Sequence, residues 1–250
     1  MSWLSGPVPH ADETHSHVRF AIDLNQFHPL SAEHWAWIAN HAHTANEWGT
    51  STLERIVVRA TIGTKVDAEF VRSVRMARAV QAHMTAEGKT PFRLGAYMLL
   101  RPPTLLASVR AQVSAFAKAT LILGAERREF AAVDVEKIPV PGNPDRDMWD
   151  GLDVAGPTRK ALEGVAGRLS TRPYLYTYSS FFKARGLAAC MANADLWGAW
   201  GPPMVAGSRI GSWAAVDAKF TAFVEAWQFG GGPLGAVDGW PPISKTVLRS

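Results

Sequence analysis

RIVVRAT, residues 55–61, is a short, continuous apolar run closed at either end by an arginine and a threonine. Such a run suits a strand covered on both faces, as in a parallel sheet, better than one with a wet side. The segment that follows, 66–87, carries Phe70, Val74, Ala77, Val80 and Met84 at three- and four-residue spacing. That spacing makes one helical stripe, and Gly88 closes it. FRLGAYMLL, 92–100, is then a second strand, stopped by Arg101-Pro102-Pro103. Strand, helix, strand is a βαβ unit, and the alternation extends in both directions.

Upstream, RFAIDL (19–24) reads as a strand ending in Asp23. SAEHWAWIANHAH (31–43) reads as a helix capped by Ser31, with Glu33 in its first turn. Downstream, Thr104 is expected to cap a helix whose stripe is Leu105, Val109, Val113 and Phe116. A strand is expected over 130–136, and Pro157 suits the first turn of a helix bearing Leu162, Val165 and Leu169. PYLYTY (173–178) is another strand and SSFFKARGLAACM (179–191) another helix. DLWGAW (195–200) and FVEAWQF (223–229) are short late strands, and 230–244 is a Gly- and Pro-rich loop. Such alternation from residue 19 to about 200, without repeat or composition break, predicts one α/β domain with a mostly parallel sheet. Its length and doubly covered strands favour a barrel over an open sheet. Residues 1–18 are expected to form a flexible arm, and residues 19–250 the barrel.

The 250 residues are 47% hydrophobic, enough for a sizeable core. A formal charge of +4 and scattered basic residues give no argument for nucleic acid as a partner. The lone Cys190 cannot form an intramolecular disulfide, and its apolar helical setting reads as a small buried hydrophobe. No run of about 18 apolar residues is present to span a membrane, and the N-terminus lacks the basic and apolar segments of a secretory signal. The histidines of the arm (His10, His15, His17) and of the first helix (His34, His41, His43) read as surface and packing residues rather than zinc ligands.

The phosphate loop G-x-x-x-x-G-K, H-E-x-x-H and G-x-S-x-G are all missing. Acids at strand ends remain, where a βα barrel keeps its chemistry. Asp134 and Glu136, at i and i+2, share one face of the 130–136 strand. Like charges so close raise one another's pKa, so one can stay protonated while the other ionises. A solvent-facing strand end would look the same. Asp23 ends the first strand, and Asp238 lies in the terminal loop. Tyr97, Tyr176 and Trp227 fall at the same level; singly each reads as core, but aromatic faces among carboxylates suit a sugar.

The order AIDLNQF, VVRATIGT, VDAEF, RLGAYMLLRP, AAVDVE, PYLYTYSSFF, LWGAW, AWQF and AVDG resembles the glycoside hydrolase family 25 lysozymes, N-acetylmuramidases that include many phage endolysins. The likeness runs over roughly residues 19–240, and its most specific element is Asp-x-Glu between the GAY and YT strands. It implies an irregular TIM-like barrel with fewer than eight helices and a groove for a glycan strand. It further implies cleavage of the β-1,4 bond between N-acetylmuramic acid and N-acetylglucosamine in peptidoglycan, with no cofactor or metal. Glu136 would be the general acid. Asp134 would stabilise the developing charge or orient the substrate's acetamido group. Asp23 and Asp238 would line the groove, with Tyr97, Tyr176 and Trp227 as its aromatics. The departures are Asn25, Ile62, Met98 and Trp200, none of which removes a carboxylate. The alternative is a barrel serving as a wall-binding or structural part of a phage particle, with virion proteins as partners. Either reading expects synthesis in a bacterial cytoplasm and action at the cell wall.

Overall fold

The computed structural model describes residues 17–26, 29–46, 49–104, 107–199, 224–229 and 244–248. In chain order the elements are β1 (His17–Leu24), α1 (Ala32–His41), β2 (His43–Asn46), β3 (Gly49–Ile62), β4 (Lys65–Val66), α2 (Phe70–Ala86) and β5 (Arg93–Leu99). Then come α3 (Val109–Ala119), a 3-10 segment (Thr120–Arg128), β6 (Ala131–Asp134), a hairpin of β7 (Pro139–Val140) and β8 (Asn143–Asp147), and α4 (Ala155–Leu169). Last are β9 (Tyr174–Tyr178), α5 (Ser179–Ala184), a second 3-10 segment (Leu187–Asn193), β10 (Asp195–Ala199), β11 (Val224–Phe229) and β12 (Ser244–Leu248).

Strand pairing closes on itself. β1, β3, β5, β6, β9, β10 and β11 pair in that order, each parallel to the next. β12 runs antiparallel to both β11 and β1 and completes the ring. The result is an irregular α/β barrel, with five α-helices among the described residues.

Strand parity sorts the side chains into two layers, because successive residues face opposite ways. Ile22, Ile56, Val58, Ala96, Met98, Val133, Leu175 and Leu196 pack outward with Trp35, Ile38, Phe70, Val74, Phe116 and Val165 of the helices. Their alternates, Ala21, Val57, Tyr97, Ala132 and Trp197, fill the barrel with Phe130, backed by Tyr174 and Tyr176. Trp197 lies edge-on to Tyr97, Phe130 and Tyr176 at centroid distances of 6.1, 5.5 and 4.8 Å. Phe130 stacks on Tyr174 at 4.4 Å.

Gly95 makes room for this inner layer. A Cβ there would sit 2.9 Å from Cδ1 and 3.0 Å from Cβ of Phe130. Gly95→Ala is therefore expected to cost about 1–3 kcal/mol, the usual range for overpacking. A denaturant midpoint equal to wild type would show that Phe130 moves aside freely.

Several local expectations need correction. The α3 cap is Ser108, whose hydroxyl accepts from Ala111 N, not Thr104. Thr104 instead closes its own turn, accepting from Ala107 N at 3.1 Å. The two prolines keep that segment out of the helix, and Leu105 lies outside the described residues. The helix expected over 179–191 breaks at Gly186, whose φ is +64°, and resumes as a 3-10 turn. β1 begins at His17, inside the segment read as an arm. Hairpin β7–β8, β2 and the closing β12 were not anticipated. The 230–244 loop lies outside the described residues apart from Ser244, the first residue of β12.

Candidate active site

Parity places Asp23 two residues above Ala21 on β1, and Asp134 two above Ala132 on β6. Both side chains therefore enter the barrel at the carboxyl ends of its strands. Asp23 is 8% exposed and Asp134 4%. Glu136 is half-buried, two residues past the last residue of β6. Sheet-like bonding carries on to that point: Leu100 N donates to Asp134 O, and Val135 N to Tyr176 O, each at 2.9 Å.

The acids converge electrostatically. Burial, first of all, pushes the Asp134 carboxyl well above the usual range; Glu136 and Asp23 push it further, and the Arg59 guanidinium opposes them. Glu136 is also raised by burial and pulled back by Arg59. Tyr97 and Tyr176 are raised well above the ordinary phenol value, mainly by burial and then by these carboxylates. Both phenols consequently stay protonated and can donate hydrogen bonds. The structure thus brings together Asp23, Asp134, Glu136, Tyr97 and Tyr176. Trp227 is on β11, its backbone opposite Gly198 and Val247. Asp238 lies outside the described residues.

The Asp134 Oδ1 is buried with no hydrogen-bond partner among the described residues. A carboxylate that lacks such bonds is costly to ionise. Asp134 and Glu136 therefore both hold their protons to higher pH than the same acids do in water.

Arg59 was missed. RIVVRAT looked like an apolar strand with charged ends, but Arg55, Val57 and Arg59 share one parity, and both arginines are buried. Spacing of i, i+2, i+4 was the available signal. Arg59 Nε donates to Asp67 Oδ2 at 2.7 Å. A second overlooked group is Tyr178, whose phenol pKa is raised chiefly by burial and further by the charge of Glu136. The loop beyond is tied down by Asp147. Its Oδ1 accepts from Ile138 N and Trp149 N at 3.0 and 3.1 Å, and its Oδ2 from Arg185 Nη2 at 3.0 Å.

The departures sort by position. Met98 is fully buried in the helix-facing layer, and Ile62 packs against that layer, so neither side chain belongs to the acid cluster. Asn25 does touch it, donating from Nδ2 to the Tyr97 hydroxyl at 3.4 Å. Trp200 lies outside the described residues. Cys190 is buried, with Sγ 3.3 Å from Ala155 O, and burial raises its thiol pKa. His34 accepts from Ser31 N and completes a capping box. No group of three His, Cys, Asp or Glu among the described residues is placed to hold a metal ion.

The sequence itself matches no protein-family model and no curated protein. Solved structures do match it. The catalytic domain of endolysin ply40 from bacteriophage P40 of Listeria monocytogenes superposes with a TM-score of 0.61, over 93% of this chain and 94% of that one. The chain has the lysozyme barrel fold. Identity to that endolysin domain is 17%. A bacterial lysozyme from Streptomyces coelicolor gives 0.60 over 93% of each chain, also at 17% identity. The spore cortex lytic enzyme SleM of Clostridium perfringens gives 0.61 at 17%, over 92% of this chain and 67% of that one. At such identity the likeness carries the architecture alone, and the chemistry of this barrel rests on its own residues.

Proposed function

We propose that this barrel hydrolyses peptidoglycan, cutting the β-1,4 bond between N-acetylmuramic acid and N-acetylglucosamine. The observation that carries the reading is the placement of buried Asp134 and half-buried Glu136 at the carboxyl end of β6, at the mouth of a lysozyme-type barrel. The names of the similar structures, endolysin, lysozyme and cortex lytic enzyme, point to the same substrate.

Glu136 is the more exposed of the two and takes the role of general acid, protonating the glycosidic oxygen. Asp134 faces the anomeric centre from within, stabilising positive charge there or orienting the 2-acetamido group. Tyr97 and Tyr176, held as neutral phenols, offer donors and flat faces to the sugar. Asp23 lines the groove, and Asp238 and Trp227 are assigned to it by family resemblance. No step calls for a metal or a cofactor. Action is at the bacterial wall, and the likeness to a phage endolysin favours a phage lysis or virion protein.

Incubation with purified peptidoglycan, followed by mass spectrometry of the reducing ends, tests this directly. New muramic-acid reducing ends are expected. N-acetylglucosamine ends would reassign the bond cut, and no release at any pH from 4 to 8 would leave the structural, non-catalytic barrel as the better reading.

A further inference from the structure

We infer that Asp147, braced by Arg185, is a positioning residue for Glu136, pinning the chain just beyond the acid as β9 pins it just before. This rests on the reading of Glu136 as the general acid of peptidoglycan cleavage. Glu136 lies past the last residue of β6, so the strand ladder alone does not fix it. On its near side Val135 N donates to Tyr176 O of β9 at 2.9 Å. On its far side Ile138 N donates to Asp147 Oδ1 at 3.0 Å, and Ile138 O accepts from Met148 N at 2.8 Å. Val135 and Ile138 are both buried. Glu136 and Lys137 are thus the short span between two anchored residues, and the Lys137 ammonium itself donates to Asp145 O at 3.1 Å.

Asp147 can hold this span because it is held firmly itself. Its Oδ1 also accepts from Trp149 N at 3.1 Å, two residues on, which closes an Asx turn. Trp149 is fully buried in the helix-facing layer and roots that turn in the core. Asp147 O accepts from Asp150 N, and Asp147 N donates to Asp150 Oδ2, each at 3.0 Å. The brace comes from the next strand along the barrel, β9, by way of α5. Arg185, just after α5, lies over the Phe181 ring at 5.3 Å and donates from Nη2 to Asp147 Oδ2 at 3.0 Å and Asp150 Oδ1 at 3.3 Å. A carboxylate as buried as Asp147, 6% exposed, is tolerable only with partners of this kind. It acts on the backbone of Ile138 and not on a glycan. A general acid must come within about 2.6–3.2 Å of the oxygen it protonates, so an acid on a free loop would seldom be in place.

The test pairs steady-state kinetics on peptidoglycan with amide hydrogen exchange, read by NMR on the full chain. Asp147→Ala removes the acceptor of Ile138 N, and Arg185→Met removes the brace while keeping Asp147. Both should lower kcat by about 10- to 100-fold with KM near wild type, since a misplacement of about 1 Å can cost as much as about 10²-fold. Arg185→Lys, which keeps a cation for Oδ2, should recover most of the loss. Exchange at the Ile138 amide should accelerate by about 10-fold, the worth of one hydrogen bond to a charged group. Exchange at Val58 and Val165, in the body of the barrel, should not change. If Asp147→Ala does not fold, Arg185→Met carries the same reading, its side chain being only partly buried. A clamp that served stability alone would lower the melting point and leave kcat untouched, and that result overturns the inference. So does a loss confined to KM, or exchange at Ile138 as slow as in wild type. Exchange needs no substrate, so faster exchange at Ile138 in a chain that cuts nothing would uphold the clamp and reject the proposed function. An unaltered kcat in variants of a chain that does cut would do the reverse.

Discussion

Glu136→Gln is expected to lower the rate of glycan cleavage by about 10²–10⁴, the usual contribution of a positioned general acid. The amide keeps the shape of the side chain and can still accept and donate hydrogen bonds, but it cannot deliver a proton to the leaving oxygen. Glu136 is half-buried and lies outside the regular part of β6, so the fold should be indifferent to the change. Glycan binding, measured by co-sedimentation with insoluble peptidoglycan, should stay near wild type. The wild-type rate should fall as pH rises and the raised Glu136 proton is lost. Full activity in Glu136→Gln together with none in Asp134→Asn would reverse the two roles.

Asp134→Asn should show two effects of opposite sign. Turnover should drop by about 10²–10³, the range seen when one preorganised charge-stabilising group is removed. Stability, by contrast, should rise at neutral pH. Burial raises the folded-state pKa of Asp134 above its unfolded value, so the folded chain holds a proton that the unfolded chain has released. A group of that kind contributes stability that is fully present below the unfolded pKa and is lost as pH rises through the folded one. Asparagine stays neutral throughout and escapes the loss. Denaturant midpoints of the variant and wild type should therefore nearly coincide in acid and separate with rising pH, the variant being higher. A variant less stable than wild type at pH 7 would mean that an ionised Asp134 is well solvated or bonded in the folded state. Activity obtained at the expense of stability is the common pattern at such sites.

The architecture was legible wherever an element's own residues decide its form. RIVVRAT, the stripe from Phe70 to Met84 and the Ser31 cap each encode their structure locally, and their alternation fixes the sheet as parallel. Asp23, Asp134, Tyr97 and Tyr176 could be placed because strand parity is a strict period of two. What stayed hidden depends on partners remote in sequence. β12 is a strand only because β1 and β11 leave edges open to it. Thr104 and Ser108 are both competent caps, and the choice follows from where the chain turns after Pro102 and Pro103. Arg59 reads as the end of an apolar run until Asp67, eight residues on, is seen to hold it. The upward shift of the Asp134 pKa likewise reflects burial by elements remote in sequence, which no local pattern reports.

The seam of the barrel has a consequence for how the molecule comes into being. β12 pairs Ser244 with Asp23 and Val247 with Phe20, joining residues from opposite ends of the described chain. Bringing such distant segments together carries a large loop-closure entropy and belongs among the slow events of folding. During synthesis β1 emerges before the other described strands and must wait for β12 before its second edge is covered. Until then the strand bearing Asp23 is held from one side only, by β3. The wall around the acid cluster is thus closed by β12, and a nascent chain interrupted before it would carry Asp23, Asp134 and Glu136 without the closed wall that aims them.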